Sequence, residues 1–134
     1  MRVVLDTNVI ISAILFDGLP EKLLINALAG SDQLIISTYI VAETIRVLET
    51  KFSVSPSNLK LLQQLLNEGE MVHFQPFLGV ISDEPDNRII ETAVRGDAEY
   101  LVTGDKLLID LKKYKNTQIV STKQYLELSQ NSNK

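Results

Sequence analysis

The sequence predicts an α/β fold built on a parallel sheet, and three observations carry that expectation. Val3 to Leu5 and Tyr100 to Val102 are continuous apolar runs closed by turn or helix-starting residues, the pattern of strands buried on both faces. Between them, strand-like runs alternate with stretches of helical period, beginning β-α-α-β. Each apolar run also ends in an acid, Asp6 after the first and Thr103-Gly104-Asp105 after the second. In open α/β sheets the ligand crevice lies beyond the carboxyl ends of the strands, so both acids are delivered to one rim.

The chain has 134 residues, enough for one domain with a sizeable core, and no linker is visible. Residues 1–128 read as that domain. The tail SQNSNK, residues 129–134, has no apolar residue and is expected to fray. The absence of cysteine rules out disulfides and thiolate chemistry and suits a reducing compartment. The near-apolar run Val9 to Phe16 is too short to span a bilayer, and Asp6 and Asn8 interrupt what could have been a signal peptide. A cytoplasmic protein is expected. A net charge of −4 argues against binding nucleic acid by bulk electrostatics. It leaves room for an enzyme that meets phosphate through metal ions.

Taken in order, Val3 to Leu5 is the first strand and Thr7 to Phe16 the first helix, broken by Asp17, Gly18 and Pro20. Glu21 to Ala29 forms a second helix closed by Gly30, and Leu34 to Ile36 a short strand. Thr38 to Thr50 is helical, with Ile40, Val41, Ile45, Val47 and Leu48 on one face. Glu43 falls at the border of that face, whereas Arg46, Glu49 and Thr50 point away. Ser57 to Asn67 is a leucine-rich helix, opened by Ser55 and Pro56, whose wide apolar stripe suits a neighbouring helix or a second copy of the chain. Glu70 to Phe74 reads as a strand containing His73, the only histidine, which is assigned a structural role.

In the segment SDEPDNRIIETAVRG, Ile89, Ile90 and Ala93 follow Asp86 by three, four and seven residues. That spacing puts Asp86 on the inward face of the helix, where a hydrophobe is the usual occupant. A strand at Tyr100 to Val102, a short helix at Lys106 to Lys112, a strand at Gln118 to Ser121 and a helix at Lys123 to Leu128 complete the chain.

Each acid so singled out has an ordinary explanation. Asp6 and Asp105 could cap helices, Glu43 could be a solvated helix residue, and Asp83 and Asp86 could share a capping arrangement. Convergence of Asp6, Glu43, Asp86 and Asp105 at one end of a parallel sheet is not needed for capping. Two carboxylates about 5 Å apart repel by roughly 3 kcal/mol at an effective dielectric of about 20. A cluster of four therefore calls for protons or cations, and Mg2+ or Mn2+ are the hard, oxygen-preferring ions that suit it.

The series Asp6-Thr7-Asn8, Glu43 within a helix, Asp86-Asn87-Arg88 and Thr103-Gly104-Asp105 resembles the PIN-domain ribonucleases, and among them the VapC-like toxins of toxin–antitoxin systems. The resemblance runs from Val3 to about Leu126. It implies a three-layer α/β/α sandwich with a central parallel sheet, and an acid cluster that holds one or two Mg2+ or Mn2+ ions. It implies further that Asp6, Glu43, Asp86 and Asp105 are the catalytic, metal-holding acids and that Asn8 and Thr103 orient them or the attacking water. RNA hydrolysis, dimerisation and silencing by an antitoxin protein come with the same likeness.

Arg88 and Lys106 are candidate RNA contacts, with solvated charge as the alternative reading. Two positions depart from the family pattern. Leu107 stands where many members carry a further acid, so one metal ion or two stays open. Asn87 follows Asp86 where many have consecutive acids, so Asp83 competes with Asp86 as ligand. Two rival readings are a haloacid-dehalogenase-type phosphatase, which would want an acid where Asn8 stands, and a non-catalytic PIN-like protein-binding module.

Overall fold

The computed structural model describes residues 1–30 and 32–132. Strand β1 (Arg2–Leu5) lies inside the sheet, with β2 (Gln33–Ser37) and β4 (Tyr100–Val102) parallel on either side, so that Val4 stands opposite both Ile35 and Leu101. Beyond them β3 (Glu70–Val72) pairs with β2 and β6 (Thr117–Val120) with β4, again parallel. A two-residue strand, β5 (Lys113–Tyr114), closes the far edge antiparallel to β6, giving the order β3-β2-β1-β4-β6-β5. Val3, Val4 and Leu5 are buried, as a strand covered on both faces requires.

Helices α1 (Thr7–Leu15), α2 (Leu19–Ala29), α3 (Thr38–Lys51) and α4 (Leu59–Glu68) connect strands stepping toward β3. Helices α5 (Glu84–Arg95) and α6 (Lys106–Leu111) belong to connections stepping the other way. Right-handed crossovers place the two sets on opposite faces of the sheet. In keeping with this, α1 packs on α2, α3 and α4, while α5 lies over β1, β2 and β4. The last helix, α7 (Thr122–Ser132), packs on α2. The expected α/β/α sandwich is the fold observed.

Several local expectations are corrected. Pro20, grouped with Asp17 and Gly18 as a breaker of the first helix, lies inside the first turn of α2, which starts at Leu19 rather than Glu21, where a missing N–H leaves no bond unmade; Gly18, at φ 154°, stands in the break between the two helices. Ser55 and Pro56 form a turn ahead of α4, held by the Ser55 hydroxyl donating to Asn58 Oδ1 (2.6 Å), and the helix starts at Leu59. Strand β3 ends at Val72, which leaves His73 exposed beyond it. Ile45 is exposed; the inward face of α3 is Ile40, Thr44, Val47 and Leu48, with the Thr44 hydroxyl satisfied by the Ile40 carbonyl (2.7 Å). Helix α7 continues through Ser132, past the expected end at Leu128, and residues 133 and 134 of the tail lie outside the described residues.

One polar contact registers the two helices that frame the rim. Ser37, buried at the end of β2, caps α3 by accepting from the Ile40 N–H (3.3 Å), and it also accepts from the Thr92 hydroxyl on α5 (2.8 Å). The first turn of α3 is thereby held against α5.

Candidate active site

At the carboxyl ends of the strands a cleft of about 340 Å³ is lined by Asp6, Thr7 and Asn8 after β1, Tyr39 and Glu43 on α3, and Glu84, Pro85, Asp86, Arg88 and Ile89 on α5. Asp105, at the head of α6, acts electrostatically on both Asp6 and Asp86.

Asp6 stands at the N-cap position of α1, yet its side chain makes no closed capping bond. Its Oδ2 accepts instead from the buried Thr103 hydroxyl (2.7 Å), whose oxygen in turn accepts from the Asp105 N–H (3.0 Å). Burial raises the Asp6 pKa first, and the charge of Asp105 adds to it. The Thr103 hydroxyl and the N–H groups of Asn8 and Thr7 pull the other way.

Asp86 is the acid whose pKa is moved furthest from its ordinary value. Asp83 takes the cap of α5, accepting from the Asp86 N–H (3.0 Å), which leaves the Asp86 carboxyl free to face the cleft. Its Oδ2 is buried with no hydrogen-bond partner. Desolvation first, then the contact with Asp105 and the charges of Asp105, Asp83 and Asp6, push its pKa up to about 8. The Asp105 contact helps only a carboxyl that retains its proton, because two carboxylates have no donor between them. Asp105 itself caps α6 through the Leu107 N–H (3.0 Å). Capping and clustering, alternatives at the level of sequence, thus coexist at Asp105 and are divided between Asp83 and Asp86.

Glu43 lines the same cleft but stands apart from this trio. Arg46, expected to point away, reaches back one turn to it (2.6 and 3.1 Å) and lowers its pKa, with no acid among the influences on it. The structure thus brings three of the four acids into mutual influence and pairs the fourth with a cation.

Arg88 is neither solvated nor free. Its guanidinium is buried, pairs with the fully buried Glu91 (2.7 Å), donates to the Leu78 carbonyl and lies 3.0 Å from Glu84. Lys106 is exposed and pairs with Asp110 (2.8 Å). Asn8 is exposed at the cleft.

The model described as PIN domain matches residues 2–107, which include all four acids. The chain belongs to the PIN domain family. Members of that family are generally nucleases. Among solved structures, the crystal structure of VapBC2 from Rickettsia felis bound to a DNA fragment from their promoter is similar to this PIN domain. The TM-score is 0.63 at 22% identity, covering 90% of this chain and 98% of that one, and the likeness is one of fold. No curated protein matches the chain.

The donor set of this PIN domain fits a hard divalent ion in its chemistry: carboxylates only, mutually repelling, with an orphaned buried oxygen on Asp86. Among the described residues, no three His, Cys, Asp or Glu side chains converge closely enough to hold one in the present arrangement. The departure at Asn87 has a structural cause. Its Oδ1 accepts from the N–H groups of Val80 and Ile81 (2.9 and 3.0 Å) while its Nδ2 donates to the Ile81 carbonyl (2.9 Å), a combination no carboxylate offers. Sequence reasoning missed Tyr39, although it precedes Glu43 by one helical turn and that spacing could have placed it on the same face. Glu91 was missed too, because a charged residue three positions from an arginine reads as a solvated pair.

Proposed function

We propose that this PIN domain is a metal-dependent endoribonuclease, the toxin of a toxin–antitoxin pair, acting in the cytoplasm. The observation that carries the reading is the buried Asp86 carboxyl, with an unsatisfied oxygen, beside Asp105 and Asp6 in a fold whose family cleaves nucleic acid. Asp6, Asp86 and Asp105 would hold Mg2+ or Mn2+, and Glu43 would join them once released from Arg46. A divalent ion in such a site lowers the pKa of a bound water and offsets charge on the phosphate.

The chain's own groups do the positioning. Thr103 fixes the Asp6 carboxylate and the start of α6 with one hydroxyl. Asp83 takes the capping duty and frees Asp86. Asn8, exposed at the mouth, offers an amide to substrate or water. Lys106 is held only by an exposed surface pair, which is worth little, so it can turn to a phosphate. Arg88, engaged on three sides, holds the segment around Leu78 rather than RNA.

An antitoxin and a second copy are the expected protein partners. An apolar groove of about 240 Å³, lined by Ile45, Leu48, Phe52, Val54, Leu59 and Leu62, supports a protein-binding face on α3 and α4. The pairing of Glu43 with Arg46 favours one rival, a non-catalytic module.

Incubation of purified protein with a mixed RNA pool and Mn2+ or Mg2+ tests the proposal. Cleavage is expected to need the metal and to fall by roughly a hundredfold or more in Asp6→Asn and in Asp86→Asn. A wild type as inert as its folded variants, with a melting temperature unmoved by Mn2+, would establish the module instead.

A further inference from the structure

The lining of the cleft includes side chains that phosphodiester chemistry does not need. Opposed in character to the acids, Tyr39, Pro85 and Ile89 line the same cavity. Tyr39 is half-buried, and its ring stacks on Phe74 with centroids 5.2 Å apart and planes inclined by 21°. The contact ties the tyrosine ring, on the first turn of α3, to the segment after β3 and covers one of its faces.

Holding an ion and a phosphate calls for oxygen ligands and positive charge, and an aromatic and aliphatic surface contributes to neither. It does suit the flat face of a nucleobase, which stacks on aromatic rings whatever its identity. Resting on the nuclease reading above, we infer that Tyr39, stacked on Phe74 and sharing the cavity with Pro85 and Ile89, is a subsite for one unpaired nucleobase next to the scissile phosphate. A paired base keeps its faces inside the helix stack and cannot reach the ring.

The subsite predicts which part of the substrate matters. Cleavage of a single-stranded oligoribonucleotide is measured with Mn2+ while one base at a time is replaced by an abasic ribose. Removal of the base at one position beside the cut is expected to slow the wild type roughly tenfold, and pairing that position into a duplex to do the same. Tyr39→Leu, which keeps an apolar side chain without a stacking face, is expected to cut abasic and intact substrates at equal rates. Tyr39→Phe is expected to keep the wild-type discrimination, which separates loss of stacking from loss of fold. Abasic substrates cut as fast as intact ones by the wild type, or undiminished discrimination in Tyr39→Leu, would overturn the subsite and leave the nuclease standing. Failure of the wild type to cut any RNA would remove the nuclease reading, and the subsite with it.

Discussion

At Asp86 a buried carboxyl faces Asp105, Asp6 and Asp83, and burial first, then the contact with Asp105 and the charges around it, push its pKa up to about 8, so that the Asp86–Asp105 pair retains a proton at neutral pH. An acid whose folded pKa lies above its unfolded value contributes stability that is present below the lower value and lost as pH rises through the upper one. In the presence of a chelator the melting temperature is therefore expected to decline from pH 5 to pH 8. Asp86→Asn, which cannot ionise, is expected to flatten that decline; an unchanged slope in the variant would mean that Asp86 is already charged. Thr103 makes the complementary case. Its buried hydroxyl donates to Asp6 Oδ2 and accepts from the Asp105 N–H, so Thr103→Val deprives both of a partner. A loss of about 1–3 kcal/mol is expected in denaturant unfolding, with Thr103→Ser close to wild type. A valine variant as stable as wild type would show that the hydroxyl does not hold the site together.

Helix α5 shows how an element carries these residues to the rim and where its placement is fixed. At its C-cap, a Cβ added to Gly96 would lie 2.4 Å from Ile35 Cγ2 on β2, so the helix end and the strand meet at a distance only glycine allows. Gly96→Ala is expected to cost about 1–3 kcal/mol through forced displacement of Ile35, measured as a lower unfolding midpoint. A midpoint within error of wild type would mean that the helix end is free to move. The buried strands and α5 were legible in the sequence because apolar runs and inward spacing are local patterns. Asp6, Asp86 and Asp105 were legible for the same reason, being attached to strand ends or to a helix face. Strand β5 was not, since two residues carry no periodicity and its flanking turns put Lys112 and Lys115, not glycine, at positive φ. The pairing of Glu43 with Arg46 and of Arg88 with Glu91 lay beyond reach as well. Choosing among several charged neighbours one turn apart depends on side-chain rotamers and burial, which spacing does not encode.

Across the whole molecule the two rims of the parallel sheet divide the work. The carboxyl ends of the strands carry the unsatisfied and mutually repelling groups, whereas the opposite rim carries polar groups that are paired. There Arg2 donates to the Gly96 carbonyl (2.7 and 3.0 Å) and pairs with Glu70, tying β1 to the end of α5 and to β3. On α7, the buried Tyr125 packs edge-on against Tyr100 at the start of β4, and its hydroxyl donates to Asp32 Oδ2 just before β2 (2.7 Å). Burial first, and then the bond to Asp32, hold the Tyr125 pKa far above the ordinary phenol range, so it remains a neutral donor. Tyr125→Phe removes one hydrogen bond and should cost about 1 kcal/mol. Tyr125→Ala also opens a cavity between α7 and the sheet and should cost about 3–5 kcal/mol, a large share of the roughly 5–15 kcal/mol that holds a domain folded. Because this rim lies across the sheet from the acids, the proposed ribonuclease activity should be as fast in Tyr125→Phe as in wild type, while the variant unfolds at lower denaturant. Equal unfolding midpoints for the alanine and phenylalanine variants would mean that α7 is not part of the cooperative core. Impaired cleavage in Tyr125→Phe would mean that the two rims are coupled through the sheet.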